Sequence, residues 1–277
     1  MEPAHLEDRA VIAISGPQAR DFLQGLVTND IVSGLAPGTG LYAALLSPQG
    51  KILFDFLVTE GEGAVLIDVA KESQEALLKK LRLYRLRAKI EIEARDQLGV
   101  YLDLTGHPAN RPTSYADRAI TFRDPRLAAL GTRSIGAKAE MPIELHSSAG
   151  YHAARLALGV PEGGDFGSEK VFALDAGLAE LNGVSFAKGC YIGQELTSRM
   201  KHRATSRKRI LRISAAEPLP QAGTPVTVDA VELGEIVSTY GSDGFALVRL
   251  DRLEETPGQA HAARIAVTLT RPAWLEA

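Results

Sequence analysis

Between Leu41 and Ile92 the chain switches twice between two hydrophobic periods, and that switching limits the folds open to it. Leu41 to Leu46 is an apolar run. Lys51 to Thr59 alternates, with Ile52, Phe54, Phe56 and Val58 on one face and Asp55 and Thr59 on the other. Pro48-Gln49-Gly50 between them has turn chemistry, so the two segments read as a hairpin with one half-exposed face. Ala64 to Val69 follows as a strand. Lys71 to Arg87 then repeats at helical spacing, with Leu77, Leu78, Leu81 and Tyr84 facing inward, and Ile90 and Ile92 mark another strand. Strand, strand, helix, strand predicts a small α+β layer.

The flanks extend this pattern. Val11 to Ile14 reads as a strand. Gly16-Pro17 opens a helix, since proline at the first helical position gives up an N–H that has no partner there. Ala19, Phe22, Leu23 and Leu26 share its buried face, and it ends near Thr28-Asn29-Asp30. Leu98 to Leu104 is a strand, and Thr105 to Asp117, with Gly106, Pro108 and Pro112, is a loop. Ile120 to Phe122 and Arg133 to Ile135 are weaker strands, and Tyr151 to Leu158 is a helix stopped by Gly159-Val160-Pro161. After Arg207, five short β-rich runs separated by Gly and Pro turns predict a small barrel or sandwich.

One cysteine in 277 residues excludes an intrachain disulfide and any four-cysteine metal site within a single chain. A net charge of −3 does not suit a globally basic nucleic-acid binder. No apolar run reaches the roughly 18–20 residues of a membrane helix. The acidic start, Met1 to Asp8, lacks a signal-peptide or transit-peptide pattern, so the expected location is cytoplasmic, with a monomer as the default. The six histidines show no close metal-ligand spacing, and no P-loop or dinucleotide fingerprint is present.

The chemistry concentrates in Lys188-Gly189-Cys190-Tyr191-Ile192-Gly193-Gln194-Glu195. A helix over about Tyr191 to Met200 would set Cys190 near its N-terminus, where the dipole favours a thiolate, and Lys188 would add positive charge. A thiolate serves as a nucleophile or a soft metal ligand. Gln194 would share a helix face with Cys190, and Glu195 and Arg199 form an i, i+4 pair. A lone cysteine is also commonly a small buried hydrophobe, and spacing alone leaves both readings open. The basic run Arg199, Lys201, His202, Arg203, Arg207, Lys208, Arg209 and Arg212 contains no acid. It suits an RNA or acidic partner, a solvated face or, through the family resemblance given next, the glutamate tail of a folate.

The eight-residue motif resembles the signature of the YgfZ family, the bacterial counterpart of mitochondrial iron–sulfur assembly factors and a relative of the glycine cleavage T-protein. Leu174 to Leu178, Asn182 to Phe186, Arg199 to Arg203, Leu26 to Asp30 and Leu41 to Leu46 support the resemblance. It implies an α+β fold of three units in a ring. These would be a discontinuous GcvT-like folate-binding domain (1–46 plus 112–206), a ferredoxin-like subdomain (47–111) and a C-terminal β-barrel (207–277). It implies tetrahydrofolate or a one-carbon derivative as cofactor, with Tyr42, Asp55, Asp175 and Asn29 as binding residues. Asp55 would also serve catalysis, although turnover is not established. Asp175 stands where the aminomethyltransferases carry a glutamate, one methylene longer. Cys190 would be the thiolate, with Lys188, Gly189, Tyr191, Gly193, Gln194, Glu195 and Arg199 shaping its surroundings. One thiol cannot hold a cluster that normally takes about four ligands, so an iron–sulfur cluster would be transient and shared with an assembly or client protein. The alternatives are a true aminomethyltransferase and a non-catalytic folate- or RNA-binding module.

Overall fold

The computed structural model describes residues 4–104, 119–140, 147–203 and 207–275. The loop expected over Thr105 to Asp117 and the expected boundaries at 111/112 and 206/207 lie outside the described residues. The chain forms two compact units, each interleaved in sequence.

The first unit comprises Met1–Leu46, Phe54–Ala153 and Leu181–Ile192. Its elements are β1 (Ala4–His5), β2 (Arg9–Ser15), α1 (Ala19–Gln24), α2 (Ile31–Gly34), β3 (Gly40–Leu46), β4 (Ile52–Gly61, which enters the unit at Phe54), β5 (Ala64–Ala70), α3 (Gln74–Tyr84), β6 (Glu91–Ala94), β7 (Leu98–Asp103), β8 (Ile120–Arg123), β9 (Thr132–Ala137) and the start of α4 (Ala149–Ala157). One sheet has the order β3-β4-β5-β2-β6 and the other β1-β7-β9-β8. β2 pairs antiparallel with β5, Arg9 opposite Ala70 through Ser15 opposite Ala64, and on its other edge with β6. The layer expected from residues 47–111 is thus completed by β2, which stands between its strands.

Local details depart from the periodicity for identifiable reasons. α1 starts at Ala19 and stops at Gln24, because Val27 leaves the helix to bridge Leu45 of β3. α3 is shorter than Lys71 to Arg87. A 3-10 turn over Lys71–Ser73 precedes it, and Leu86, with φ +44°, cannot continue a right-handed helix. β4 is not half-exposed: every residue from Asp55 to Thr59 is buried, so Asp55 is not the outward-facing residue that alternation alone allows.

The unit also encloses a network of charges. Arg133 donates to Asp68 (2.7 Å) and Asp124 (3.0 Å), Arg9 to Asp68 (2.6 Å), and Arg126 to Asp124 (2.7 Å). Tyr151 Oη accepts from both Arg126 and Arg133. All six side chains are buried. Such charges are tolerated only when paired and hydrogen-bonded.

The second unit comprises Ser47–Leu53, Ala154–Glu180 and Gly193–Ala277. It contains α5 (Gly163–Phe166), α6 (Gln194–Arg203), β10 (Lys208–Ala215), β11 (Pro225–Val228), β12 (Val231–Tyr240), β13 (Asp243–Arg249), α7 (Leu250–Glu255), β14 (Ala260–Ala262) and β15 (Ile265–Thr270). The six strands close a barrel in the order β10-β13-β12-β11-β14-β15, with β10 pairing β15. Closure leaves no free sheet edge. Leu211, Ile213, Val226, Leu233, Ile236 and Val248 fill the interior. Asp165 of α5 anchors on the barrel: its carboxylate accepts from Ser238 (2.7 Å), Tyr240 (2.7 Å) and Arg155 (2.6 Å).

Candidate functional site

In the first unit, the segment Leu181–Ile192 is stitched to the turn that follows α1. Thr28 Oγ1 donates to the Gly183 carbonyl (2.6 Å) and accepts from Ala44 N (2.9 Å), while Ser185 N donates to the Thr28 carbonyl (3.0 Å). Lys188 then reaches under the turn. Its ammonium donates to the carbonyls of Gln24 (2.7 Å), Val27 (2.6 Å) and Asn29 (2.8 Å), which matches its three N–H donors. It also lies 5.1 Å from the centre of the Tyr191 ring. Burial lowers its pKa to about 8, against the opposing pull of Asp30. Lys188 is only 7% exposed and Tyr191 is buried, yet Cys190 between them is exposed. Gly189 faces open space: an added Cβ would meet nothing within 4 Å.

Asn29 joins this segment to the second group of candidates. Its side-chain amide donates to the Tyr42 carbonyl (2.8 Å) and to the Asn182 carbonyl (2.8 Å). Tyr42, on β3, donates its phenol to Asp55 Oδ2 on β4 at 3.0 Å. Both side chains are buried, Asp55 at 6% exposure. The Arg126 guanidinium lies 5.6 Å from the Tyr42 ring centre. The fold therefore brings Asn29, Tyr42, Asp55 and Lys188 into one connected set, and exposed Cys190 follows Lys188 by two residues in the chain. A buried carboxylate holding a phenol proton donor is a strong acceptor for N–H groups, and an exposed thiol suits a soft metal or an electrophile.

The remaining motif residues belong to the second unit. α6 begins at Gln194, not near Tyr191, because Gly193 sits at φ +81° and interrupts the right-handed path. Cys190 precedes the helix by four residues, so Gln194 does not share a helix face with it. The helix N-terminus expected beside Cys190 therefore lies further along the chain, at Gln194. The Lys188 ammonium directs its three N–H groups to backbone carbonyls of the turn. The Glu195–Arg199 pair forms as expected, at 2.7 Å and exposed to solvent. Asp175 is buried, and its carbonyl accepts from Ile210 N (3.0 Å), fixing the start of β10.

The basic run is acid-free in sequence but not in space. Arg207 lies 3.8 Å from Asp251, Arg209 3.6 Å from Glu180 and Arg212 2.7 Å from Asp243. That pairing weakens the case for an RNA-binding face. Among the described residues, no group of three or more His, Cys, Asp or Glu side chains could hold a metal ion. Among the described residues, no helix is long and apolar enough to cross a membrane.

The sequence reading missed Arg126 and the network behind it. Buried arginines carry no periodic signal, because their burial depends on partners such as Asp68, 65 residues away from Arg133. The Asp124-Pro125-Arg126 turn was the sole local hint.

Comparison with known proteins adds three findings. A family model described as the CAF17 C-terminal β-barrel domain matches residues 207–277. The human "Iron-sulfur cluster assembly factor IBA57, mitochondrial" is 34% identical across 97% of this chain and 84% of its own length. The mouse protein of the same name is 33% identical across the same shares, 97% and 84%. Among solved structures, the glycine cleavage system aminomethyltransferase T of Bartonella henselae matches with a TM-score of 0.75 at 15% identity, over 99% of this chain and 86% of that one. That likeness shows a GcvT-like fold. The cytoplasmic location expected from the acidic start is overturned, since the matched relatives are mitochondrial by name.

Proposed function

The chain belongs to the family of iron–sulfur cluster assembly factors that includes human IBA57, and on that premise we propose that it offers Cys190 as a thiolate ligand to a cluster in transit and binds tetrahydrofolate, or a one-carbon derivative, at Asp55 and Tyr42. The observation that carries the first part is the contrast within three residues: Lys188 and Tyr191 are buried and anchored, while Cys190 is exposed. An exposed thiol on a pinned segment presents a defined ligand at small entropic cost. One thiolate supplies one of about four ligands, so the cluster is substrate held jointly with an assembly or client protein. The motif's likeness to the YgfZ family supports the same reading, and the relatives' mitochondrial setting takes the place of the cytoplasm in it.

For the folate, the fit rests on the Asp55 carboxylate. It accepts from Tyr42 at 3.0 Å, inside the unit. An amino-pyrimidine edge presents paired N–H donors that a carboxylate accepts well.

The test has two independent arms. Cells lacking their own copy are complemented with wild type or Cys190→Ser, and iron–sulfur enzyme activities are measured; full restoration by the serine variant refutes the thiolate role. Tetrahydrofolate is titrated calorimetrically against wild type and Asp55→Asn; equal affinities refute the binding residues. The Tyr42–Asp55 pair also favours a second reading, aminomethyl transfer. Formation of methylene-tetrahydrofolate from an aminomethylated lipoyl donor would establish it, and no formation would dismiss it.

A further inference from the structure

α3 ends in a patch that the iron–sulfur role does not use. Between Glu75 and Glu91 the chain carries Lys79, Lys80, Arg82, Arg85, Arg87 and Lys89, with no acid among them. None of the six forms an ion pair with a described carboxylate. This contrasts with the paired run after Arg199. Two large apolar side chains stand among these cations: Leu83 at 68% exposure and Leu86 at 88%. The other exposed large apolar residues of this unit, Val32 and Phe186, lie in no such run.

Leu86 also occupies a position that glycine commonly fills. It follows the cap residue Arg85 at the end of α3 and sits at φ +44°, the left-handed conformation that ends many helices. A leucine there is strained, and its side chain projects into water. The helix C-terminus accounts for a cation or two in the last turn through its dipole. It does not account for Arg87, Lys89 or the leucines.

We propose that the α3 terminus is a docking surface for an anionic phospholipid bilayer, with Leu83 and Leu86 entering the headgroup region and the surrounding cations facing lipid phosphates. The dimensions favour lipid over a protein partner. A stable protein interface buries about 800 Å² per partner around an apolar centre, whereas two leucines isolated among cations offer no such centre. A membrane surface needs only a few basic residues near its negative potential and modest apolar insertion. The proposal is independent of the roles of Cys190 and Asp55.

Full-length protein is sedimented with vesicles of phosphatidylcholine alone or phosphatidylcholine mixed with phosphatidylglycerol. Binding is expected only to the mixed vesicles and should fall as salt shortens the screening length. Arg85→Glu with Arg87→Glu should weaken it about thirtyfold or more. Leu86→Asn keeps a residue suited to the left-handed conformation, so the fold is retained, and binding should drop about tenfold. Absence of binding to the mixed vesicles, equal binding to neutral ones, or indifference to the charge reversals would overturn the proposal. So would retention on RNA or an acidic polypeptide without vesicle binding, which assigns the cations to that macromolecule.

Discussion

The ammonium of Lys188 donates to the carbonyl oxygen of Val27 at 2.6 Å, across 161 positions of sequence. Two further carbonyls, of Gln24 and Asn29, complete its coordination. The same turn carries the Asn29 amide that holds the Tyr42 carbonyl. The segment bearing the sole thiol is therefore tied mechanically to β3, whose Tyr42 donates to Asp55 on β4.

Replacing Lys188 by methionine leaves three carbonyls without their donor. The expected cost is about 3 kcal/mol, read as a lower urea midpoint. Amide exchange should quicken over residues 181–192. Lys188→Arg should not restore stability, because a planar fork cannot reproduce an ammonium's three directions.

Cys190 should behave as a surface thiol in the native protein. One equivalent of maleimide is expected to react without denaturant, as followed by mass spectrometry. Cys190→Ser should alter stability by less than about 0.5 kcal/mol, the range for exposed positions. A large loss would mean that the side chain packs against something.

Tyr42→Phe removes the phenol that donates to Asp55 inside the unit. A destabilisation of about 1–3 kcal/mol is expected, since the buried carboxylate loses a partner. Asp55→Asn should weaken tetrahydrofolate binding by on the order of tenfold or more, because the amide replaces one acceptor with a donor. Calorimetric titration compares the two, and the folate effect should be larger for Asp55→Asn than for Tyr42→Phe.

Burial pushes the Asp124 carboxyl up, but the guanidiniums of Arg126 and Arg133 outweigh it and hold the pKa at about 2, below the reference value of 3.8. The folded value lies below the unfolded one, so its stabilisation is fully present above about pH 4 and is lost as pH falls through about 2. The amount is about 2 kcal/mol. Denaturant unfolding of wild type should weaken over that window. Asp124→Asn, less stable throughout because it leaves arginine charge buried, should lack this part of the slope.

The exposed Glu195–Arg199 pair provides a contrast. At 2.7 Å in solvent it should contribute no more than about 0.5 kcal/mol. Glu195→Gln should thus unfold at almost the wild-type urea concentration. A drop above about 1 kcal/mol would show that Glu195 has a second, buried task.

Much of this protein was legible in its residues alone. Short β-rich runs and turn chemistry identified five of the six barrel strands after Arg207 and missed β14. The hairpin around Pro48-Gln49-Gly50 and the helix with Leu77 and Leu81 inward are present. Tyr42 and Asp55, singled out separately by the family resemblance, are joined by a hydrogen bond of 3.0 Å. The hairpin and helix depend on residues close in sequence.

Other features required the folded chain. β2 enters the sheet between β5 and β6, although residues 16–63 and 71–90 separate it from them in sequence. Gly193 moves the start of α6 to Gln194, and Lys188 is buried against the carbonyls of a distant turn. Carboxylates from Glu180, Asp243 and Asp251 neutralise arginines that look unopposed in sequence. Periodicity states which face of an element is apolar, because backbone geometry repeats within a few residues. It does not state which distant segment covers that face, and the state of a charged group depends on that covering partner. The sequence by itself thus determined the elements, the barrel and the motif, while tertiary structure decided what each charge in the motif is for.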